Sequence, residues 1–168
     1  SLICGIISKV YKEKGIKNKL KTFSIGIKGS TDLVYAQNVA DYINSEHHNI
    51  ECTEEDFLNA IPEVIYNIES YDTTTVRASV GNYLVGKYIK ENTDIVVLFN
   101  GDGSDEQSGY KYLRNAPDKK QFQNECLKLL NNINYFDVLR SDRSVSSKCG
   151  LEAITPFLDK EFVDYYMK

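Results

Sequence analysis

The stretch Asp94–Glu106, DIVVLFNGDGSDE, joins an unbroken apolar run to a turn that is rich in glycine and acidic residues. An apolar run of this length, bounded by turn residues, is typical of a strand buried on both faces of a parallel sheet. Ligands of open α/β sheets bind beyond the carboxyl ends of the strands. The stretch therefore predicts a buried strand that leads directly into a candidate site.

Two chemical roles fit the residues of this turn. Gly101 and Gly103 would allow backbone amides to approach a phosphate group closely. Asp102, Asp105 and Glu106 could hold a magnesium ion through oxygen ligands. An ordinary solvated turn is the alternative, because glycine and aspartate dominate such turns.

Strand and helix patterns alternate on both sides of the turn. Lys21–Ile27 and His47–Thr53 are rich in β-forming residues, and helical spacing of apolar residues follows each of them. The predicted helices are 1–15, 30–46, 53–71, 76–92, 121–133 and 134–144, and a further helical pattern covers 157–168. This alternation indicates an α/β fold. We expect residues 1–118 to form an α/β nucleotide-binding part and residues 119–168 to form a helical part.

Length and charge narrow the classes of function. The 168 residues suit one domain, and the net charge of −4, with basic residues spread along the chain, argues against binding of nucleic acid or anionic lipid. No apolar stretch approaches the ~20 residues of a membrane span, so a cytoplasmic location is expected. Without a CxxC pair, the cysteines are expected to be separate thiols: Cys4, Cys52, Cys126 and Cys149.

The two adjacent histidines, His47 and His48, could suggest a metal site. Neighbouring side chains on a strand point to opposite faces, however, and no third ligand lies close to them in the sequence. Structural or hydrogen-bonding roles are therefore expected for both imidazoles.

Three motifs in order resemble the synthetase domain of glutamine-dependent asparagine synthetases. They are ESYDTTTVRAS (69–79), the DIVVLFNGDGSDE stretch, and GLEAITPFLDKEF (150–162). The resemblance covers essentially the whole chain. It implies the PP-loop ATP pyrophosphatase fold, which has three α/β/α layers and a mostly parallel sheet, followed by a helical C-terminal part.

The resemblance also implies that the family's full-length proteins contain segments before and after these 168 residues. In that family a strand and an SGGxDS pyrophosphate loop directly precede a helix that begins like SLICGII, which here starts at Ser1. A glutaminase domain lies further upstream, and an essential lysine follows in a C-terminal tail. The 168 residues alone are therefore expected to be inactive.

The activity that the resemblance implies is asparagine synthesis. ATP with Mg²⁺ would adenylate the side-chain carboxylate of aspartate, and ammonia would then displace AMP to give asparagine, AMP and pyrophosphate. The ammonia would come from glutamine. A homodimer is expected for the full-length protein, with no nucleic acid or membrane partner.

Matching positions connect individual residues to the nucleotide. Those assigned to ATP lie on the first predicted strand and in the glycine-rich turn: Ile25, Asn100, Gly101 and Asp102. Asp105 matches a carboxylate near magnesium and pyrophosphate. Asp102 is also assigned a catalytic role, because the family has glutamate there, at a position associated with the incoming ammonia. The shorter aspartate would have to place its carboxylate differently.

Other positions match aspartate binding and the reaction intermediate. Thr74 and Arg77 match positions that bind aspartate, although a hydroxyl and an arginine at a helix start could equally be surface capping residues. Lys128 is assigned a catalytic role, and Asp137 and Arg140 are assigned to substrate binding. Each of these three could instead be a charge on a helix face.

Two other functions remain open at this stage. A β-lactam synthetase or another amidotransferase relative would use the same ATP chemistry on a different carboxylate. A non-catalytic remnant that only binds a nucleotide would account for Asp102 and for the segment EQSGY, which is one residue shorter than in the family.

Overall fold

The computed structural model describes residues 1–135 and 139–168, in which helices and strands alternate as predicted. The first half contains α1 (Leu2–Glu13), β1 (Lys21–Ile27), α2 (Thr31–Ile43), β2 (Glu46–Cys52), α3 (Glu54–Ile68) and α4 (Thr73–Asn92). The second half contains β3 (Val97–Phe99), α5 (Ser104–Ser108), α6 (Lys119–Asn131), α7 (Ser144–Ser146), β4 (Glu152–Ile154) and α8 (Lys160–Tyr166). This order confirms the α/β class.

Short helical turns connect several of these elements. Three of them have 3₁₀ geometry and one has π geometry: Lys111–Asn115, Ile133–Tyr135, Pro156–Leu158 and, with π geometry, Leu139–Arg143. In the described part of the chain, no helix is both long enough and apolar enough to cross a membrane.

The strands form two parallel pairs. β1 pairs with β2 in a register that runs from Lys21 opposite Glu46 to Ile27 opposite Cys52. β3 pairs with β4 over three residues, with Leu98 opposite Ala153 at the centre. Parallel pairing is what the alternation of strands and helices predicts, because parallel strands need crossover connections.

Capping residues determine where two of the helices begin. Thr53 and Asp56 form a reciprocal capping box at the start of α3, in which the Thr53 hydroxyl accepts from the Asp56 amide at 3.2 Å. Asp72 caps α4 by accepting from the Thr75 amide at 2.8 Å. Helix α4 therefore begins at Thr73, three residues before the predicted start at Val76.

The C-terminal part differs from the prediction in one element. It is mostly helical, but it contains β4, which the sequence pattern did not predict because three residues are too few to show a period. Because β4 has only three residues, β3 pairs with it over Val97–Phe99 and not over the whole predicted strand from Asp94.

The hydrophobic core is centred on the packing of α3 against α4. Its buried members are Ala60, Val64, Ile68, Val76, Val80, Tyr83, Ile89, Val145, Cys149 and Leu151. Gly86 permits a close approach at the far side of α4, because a Cβ there would lie 3.1 Å from Val145 Cγ1 and 3.2 Å from Cys149 Sγ. All four cysteines are free thiols, as predicted.

A groove of about 1360 Å³ separates the two strand pairs. Residues of α1, β1, α4 and β3 line it, together with Val145 and Phe157. The prediction that the apolar run is buried on both faces is therefore wrong for β3 in this structure. Val97 and Phe99 are 42% and 47% exposed, because they border the groove.

The two histidines have the structural roles that the sequence predicts. His47 contacts two hydroxyls of β1, with Nδ1 2.9 Å from Thr22 Oγ1 and Nε2 3.0 Å from Ser24 Oγ. The His48 ring stacks on Phe23 with a centroid separation of 4.9 Å. Both imidazoles thus join β2 to β1.

We expect Ile68→Ala to lower the free energy of unfolding by about 2–5 kcal/mol, because Ile68 is fully buried between α3 and α4 and its removal leaves a cavity. Urea unfolding followed by circular dichroism measures this change. Val34→Ala on the exposed face of α2 is the matched control, and equal effects of the two substitutions would contradict this account of the core.

Stability is also expected to depend on His47. Burial, followed by the charge of neighbouring His48, holds the pKa of His47 below its ordinary value of 6.5. The unfolded chain therefore takes up the proton more readily than the folded chain does. His47 favours folding fully above about pH 6.5, and this contribution is lost as the pH falls through the lowered pKa.

The variant His47→Gln keeps a side chain that can bond to the hydroxyls but does not titrate. Its melting temperature is expected to fall less between pH 7 and pH 5 than that of the unmodified protein. Thermal unfolding at a series of pH values measures the difference. Parallel curves for the two proteins would show that His47 does not contribute to this pH dependence.

Candidate functional site

The candidate site is the turn beyond the carboxyl ends of β3 and β4. The Asn100 amide donates to the Ile154 carbonyl at 3.0 Å, which extends the pairing of β3 with β4 by one bond. The Asn100 side chain then accepts from the Asp102 amide at 3.1 Å. Asn100 thus anchors the start of the turn to the neighbouring strand.

Gly103 is required by the geometry of this turn. Its φ of +88° lies in the left-handed region, and a Cβ at this position would overlap the Leu158 side chain. The absence of a side chain lets the turn after β3 pack directly on the turn after β4, Pro156–Leu158. Gly101 is exposed, and no atom lies within 4 Å of its hypothetical Cβ, so there is open space beside its backbone.

Gln107 joins the two turns and was missed at the sequence level. Its side chain is buried, and Nε2 donates both to the Gly103 carbonyl at 3.1 Å and to the Phe157 carbonyl. The sequence signal for Gln107 was its place in the segment EQSGY, where the chain departs from the family pattern. Only the fold shows that this amide links the two turns.

The acidic residues of the turn have different surroundings. Glu106 is buried and accepts a hydrogen bond from the Tyr110 hydroxyl, so its carboxylate is engaged inside the protein. Asp105 is exposed in the first turn of α5, and Asp102 is half-buried. The Glu106 carboxylate therefore points into the protein, whereas the Asp105 carboxylate faces solvent.

No group of three or more His, Cys, Asp or Glu side chains is arranged as a metal site within residues 1–135 and 139–168. Magnesium is commonly held by one or two carboxylates together with substrate phosphates. The exposed Asp105 fits that kind of site, in which the phosphates would supply most of the oxygen ligands.

The structure brings together three of the positions assigned to ATP. Ile25 on β1 and Asn100 and Gly101 after β3 all line the same groove. Ile25 belongs to one strand pair and Gly101 follows the other, so these two residues border the groove from opposite strand pairs. Asp102 follows in the same turn, and Asp105 lies just beyond it in the first turn of α5.

The positions assigned to aspartate lie in a separate place, at the start of α4. Thr74 and Arg77 are both exposed, and their spacing of three residues places them on one face of the helix. Neither belongs to the lining of the groove. Their side chains are accessible for binding a small molecule.

Glu69, just before this helix start, is a second residue that was missed. Its φ of +53° is the left-handed conformation that commonly ends a helix, and here it ends α3. Its carboxylate pairs with Arg143, with Oε2 2.6 Å from Nη1. Glu69 opens the motif ESYDTTTVRAS, so the signal was its adjacency to Thr74 and Arg77.

The remaining predicted residues lie apart from the groove or outside the described residues. Lys128 is exposed on α6 and pairs with Glu125 of the same helix at 3.4 Å, which matches the alternative of a charge on a helix face. The Arg140 carbonyl accepts from Asn82 Nδ2 at 3.3 Å, so its segment contacts α4. Asp137 lies outside the described residues.

Comparison with known proteins finds relatives that match the chain over its whole length. The asparagine synthase family matches residues 1–125 and 113–168. The chain is 47% identical over 168 residues to the glutamine-hydrolyzing asparagine synthetases of Gallus gallus and Mus musculus, and 46% identical to that of Homo sapiens. Each alignment covers 99% of this chain and 30% of the relative. The chain thus spans about 30% of the length of these curated relatives.

We expect Gln107→Met to loosen the two turns, because methionine has a similar shape but cannot donate to the Gly103 and Phe157 carbonyls. The loss of these bonds should cost about 1–3 kcal/mol of stability. Amide exchange of residues 101–108 should also become faster. Hydrogen exchange with residue resolution measures both effects, with Gln121→Met on the exposed surface of α6 as the control. Unchanged exchange in the turn would contradict this role for Gln107.

Proposed function

Because the chain belongs to the asparagine synthase family, we propose that the full-length protein converts aspartate to asparagine with ATP and with nitrogen from glutamine. The observation that carries this proposal is the open backbone at Gly101, at the carboxyl end of a parallel strand, in the turn that matches the family motif. Sites of this kind suit phosphate groups. The names of the relatives support the choice of reaction.

The first step of the proposed reaction activates aspartate. An oxygen of its side-chain carboxylate attacks the α-phosphorus of ATP, and pyrophosphate leaves to give β-aspartyl-AMP. Magnesium, when bound, neutralises phosphate charge during this step. Asn100 and Gly101 would hold the nucleotide through the backbone, and Asp105 would offer a carboxylate oxygen to the metal.

The second step transfers nitrogen. Ammonia attacks the acyl carbon, the bond to AMP breaks, and the nitrogen loses one proton as the amide forms. Asp102 is the proposed acceptor of that proton, because its carboxylate lies in the same turn as the nucleotide positions. The half-buried position of Asp102 is compatible with a group that meets a reactant arriving from solvent or from another domain.

Aspartate itself would bind at the start of α4. The guanidinium of Arg77 could pair with a carboxylate of aspartate through two parallel hydrogen bonds, and the Thr74 hydroxyl could donate a third. Asp137 and Arg140 remain proposals for substrate binding. Lys128 would have to leave Glu125 before it could approach pyrophosphate.

We expect Arg77→Lys in the full-length protein to raise KM for aspartate about tenfold to hundredfold, because an ammonium group cannot reproduce the planar fork of arginine. KM for ATP should stay close to its unmodified value. Steady-state release of pyrophosphate and formation of asparagine measure both constants.

Arg114→Lys is the control, since Arg114 is also exposed but lies in the turn Lys111–Asn115. An unchanged aspartate KM in Arg77→Lys would remove Arg77 from the binding site. If the unmodified full-length protein forms no asparagine and releases no pyrophosphate with aspartate and ATP, the proposed function itself is wrong.

A further inference from the structure

The segment 140–148 lies along α4 and runs in the same direction. Near its beginning, Asn82 Nδ2 donates to the Arg140 carbonyl at 3.3 Å. Near its end, Lys90 Nζ donates to the Lys148 carbonyl at 2.6 Å. Residue numbers therefore increase together along the helix and the segment, and the amino end of the segment is the end that lies towards the start of α4.

The same segment is also joined to α3 by polar contacts. Three of its side chains contact α3 or the residue that ends this helix: Lys148 with Glu63, Ser147 with Asn67, and Arg143 with Glu69. Along this side the numbers run in opposite directions, so the segment is antiparallel to α3. Its amino end thus lies beside residues 69–72, which connect α3 to α4 and are called the connection below.

A chain of polar contacts runs through the connection into the first turn of α4. Arg143 Nη1 lies 2.6 Å from Glu69 Oε2, at the first residue of the connection. The Ser70 hydroxyl accepts from the Asp72 amide at 3.2 Å. Asp72 Oδ1 then accepts from both the amide and the hydroxyl of Thr75, each at 2.8 Å. The placement of the connection therefore affects how α4 begins.

The ion pair of Glu69 with Arg143 lies at the surface. The two side chains are 74% and 44% exposed, and pairs with such exposure contribute little to the free energy of unfolding. Its place is more informative than its strength, because it holds the connection just before the exposed side chains of Thr74 and Arg77. A small effect on stability and a large effect on these two side chains are therefore separable.

We propose that Glu69 is a positioning residue for aspartate, whose ion pair with Arg143 holds the connection so that Thr74 and Arg77 meet the substrate in one geometry. This rests on the proposed function, which assigns aspartate to the start of α4. Glu69 acts through the connection, since its carboxylate is already engaged by Arg143. A displaced first turn would misplace the guanidinium and the hydroxyl together, and binding depends steeply on such placement.

Amide exchange in the full-length protein tests the positioning role without any substrate. The Thr75 amide donates to the Asp72 side chain, and the Val76 amide donates to the Asp72 carbonyl at 2.9 Å. We expect Glu69→Gln to speed exchange of these two amides about fivefold or more, because the connection is then held less firmly. Unchanged exchange would overturn the proposal.

The ion pair of Glu63 with Lys148 provides a matched control. It joins α3 to the same segment, but at the end that lies away from the start of α4. Glu63→Gln should therefore leave exchange of the Thr75 and Val76 amides unchanged. If Glu63→Gln speeds their exchange as much as Glu69→Gln does, the effect is a general loosening of the segment and the proposal is wrong.

Steady-state kinetics of the full-length protein tests the consequence for aspartate. Glu69→Gln should raise KM for aspartate about tenfold, with KM for ATP close to its unmodified value. Its melting temperature should change by no more than about 4 °C, since the pair is exposed. Glu63→Gln should leave both Michaelis constants unchanged.

Variants of Arg143 distinguish positioning from direct contact with the substrate. Arg143→Gln should raise KM for aspartate as much as Glu69→Gln does, and the double variant should be no worse than either single variant, because all three lack the same interaction. If Arg143→Gln leaves KM for aspartate unchanged while Glu69→Gln raises it, Glu69 contacts aspartate itself and the positioning role is wrong. Additive losses in the double variant would also overturn it.

Failure of the proposed function and failure of this inference are distinguishable. If the unmodified full-length protein forms no asparagine, the proposed function is wrong, and the exchange comparison still decides whether Glu69 holds the start of α4. If the protein forms asparagine and Glu69→Gln keeps the unmodified KM for aspartate, the proposed function stands and the role of Glu69 is overturned.

Discussion

The packing around helix α4 is the constraint on which both strand pairs depend. Its buried residues Val80 and Tyr83 belong to the same cluster as Val64 of α3, and Phe23 of β1 and Leu98 of β3 pack against that cluster. The two strand pairs share no ladder of hydrogen bonds in the described part of the chain, so this helix holds them in one structure. The location of the candidate site follows, because both strands end beside the same groove.

The candidate site combines an open turn with a rigid support. Gly101 leaves its backbone accessible, whereas Gly103 and Gln107 tie the following residues to the turn after β4. A site that must bind phosphate benefits from backbone groups that are already held in place, because little conformational entropy is then lost on binding. Helix α5 carries both the exposed Asp105 and the buried Glu106, so one of these carboxylates is accessible to solvent and the other lies inside the protein.

The groove explains a conflict between local pattern and observed burial. Residues 94–99 have the composition of a fully buried strand, yet Val97 and Phe99 border open space.

By itself the sequence determined the local elements: the bounds of β1, the Thr53 cap of α3 and the glycine-rich turn, because neighbouring residues encode period, capping and turn geometry. The motifs also identified the family. The tertiary structure decided what depends on residues distant in sequence. It created β4 by pairing with β3, turned Gln107 towards Phe157, and paired Glu69 with Arg143. Such contacts have no local signal, since their energy comes from partners that only the fold brings close.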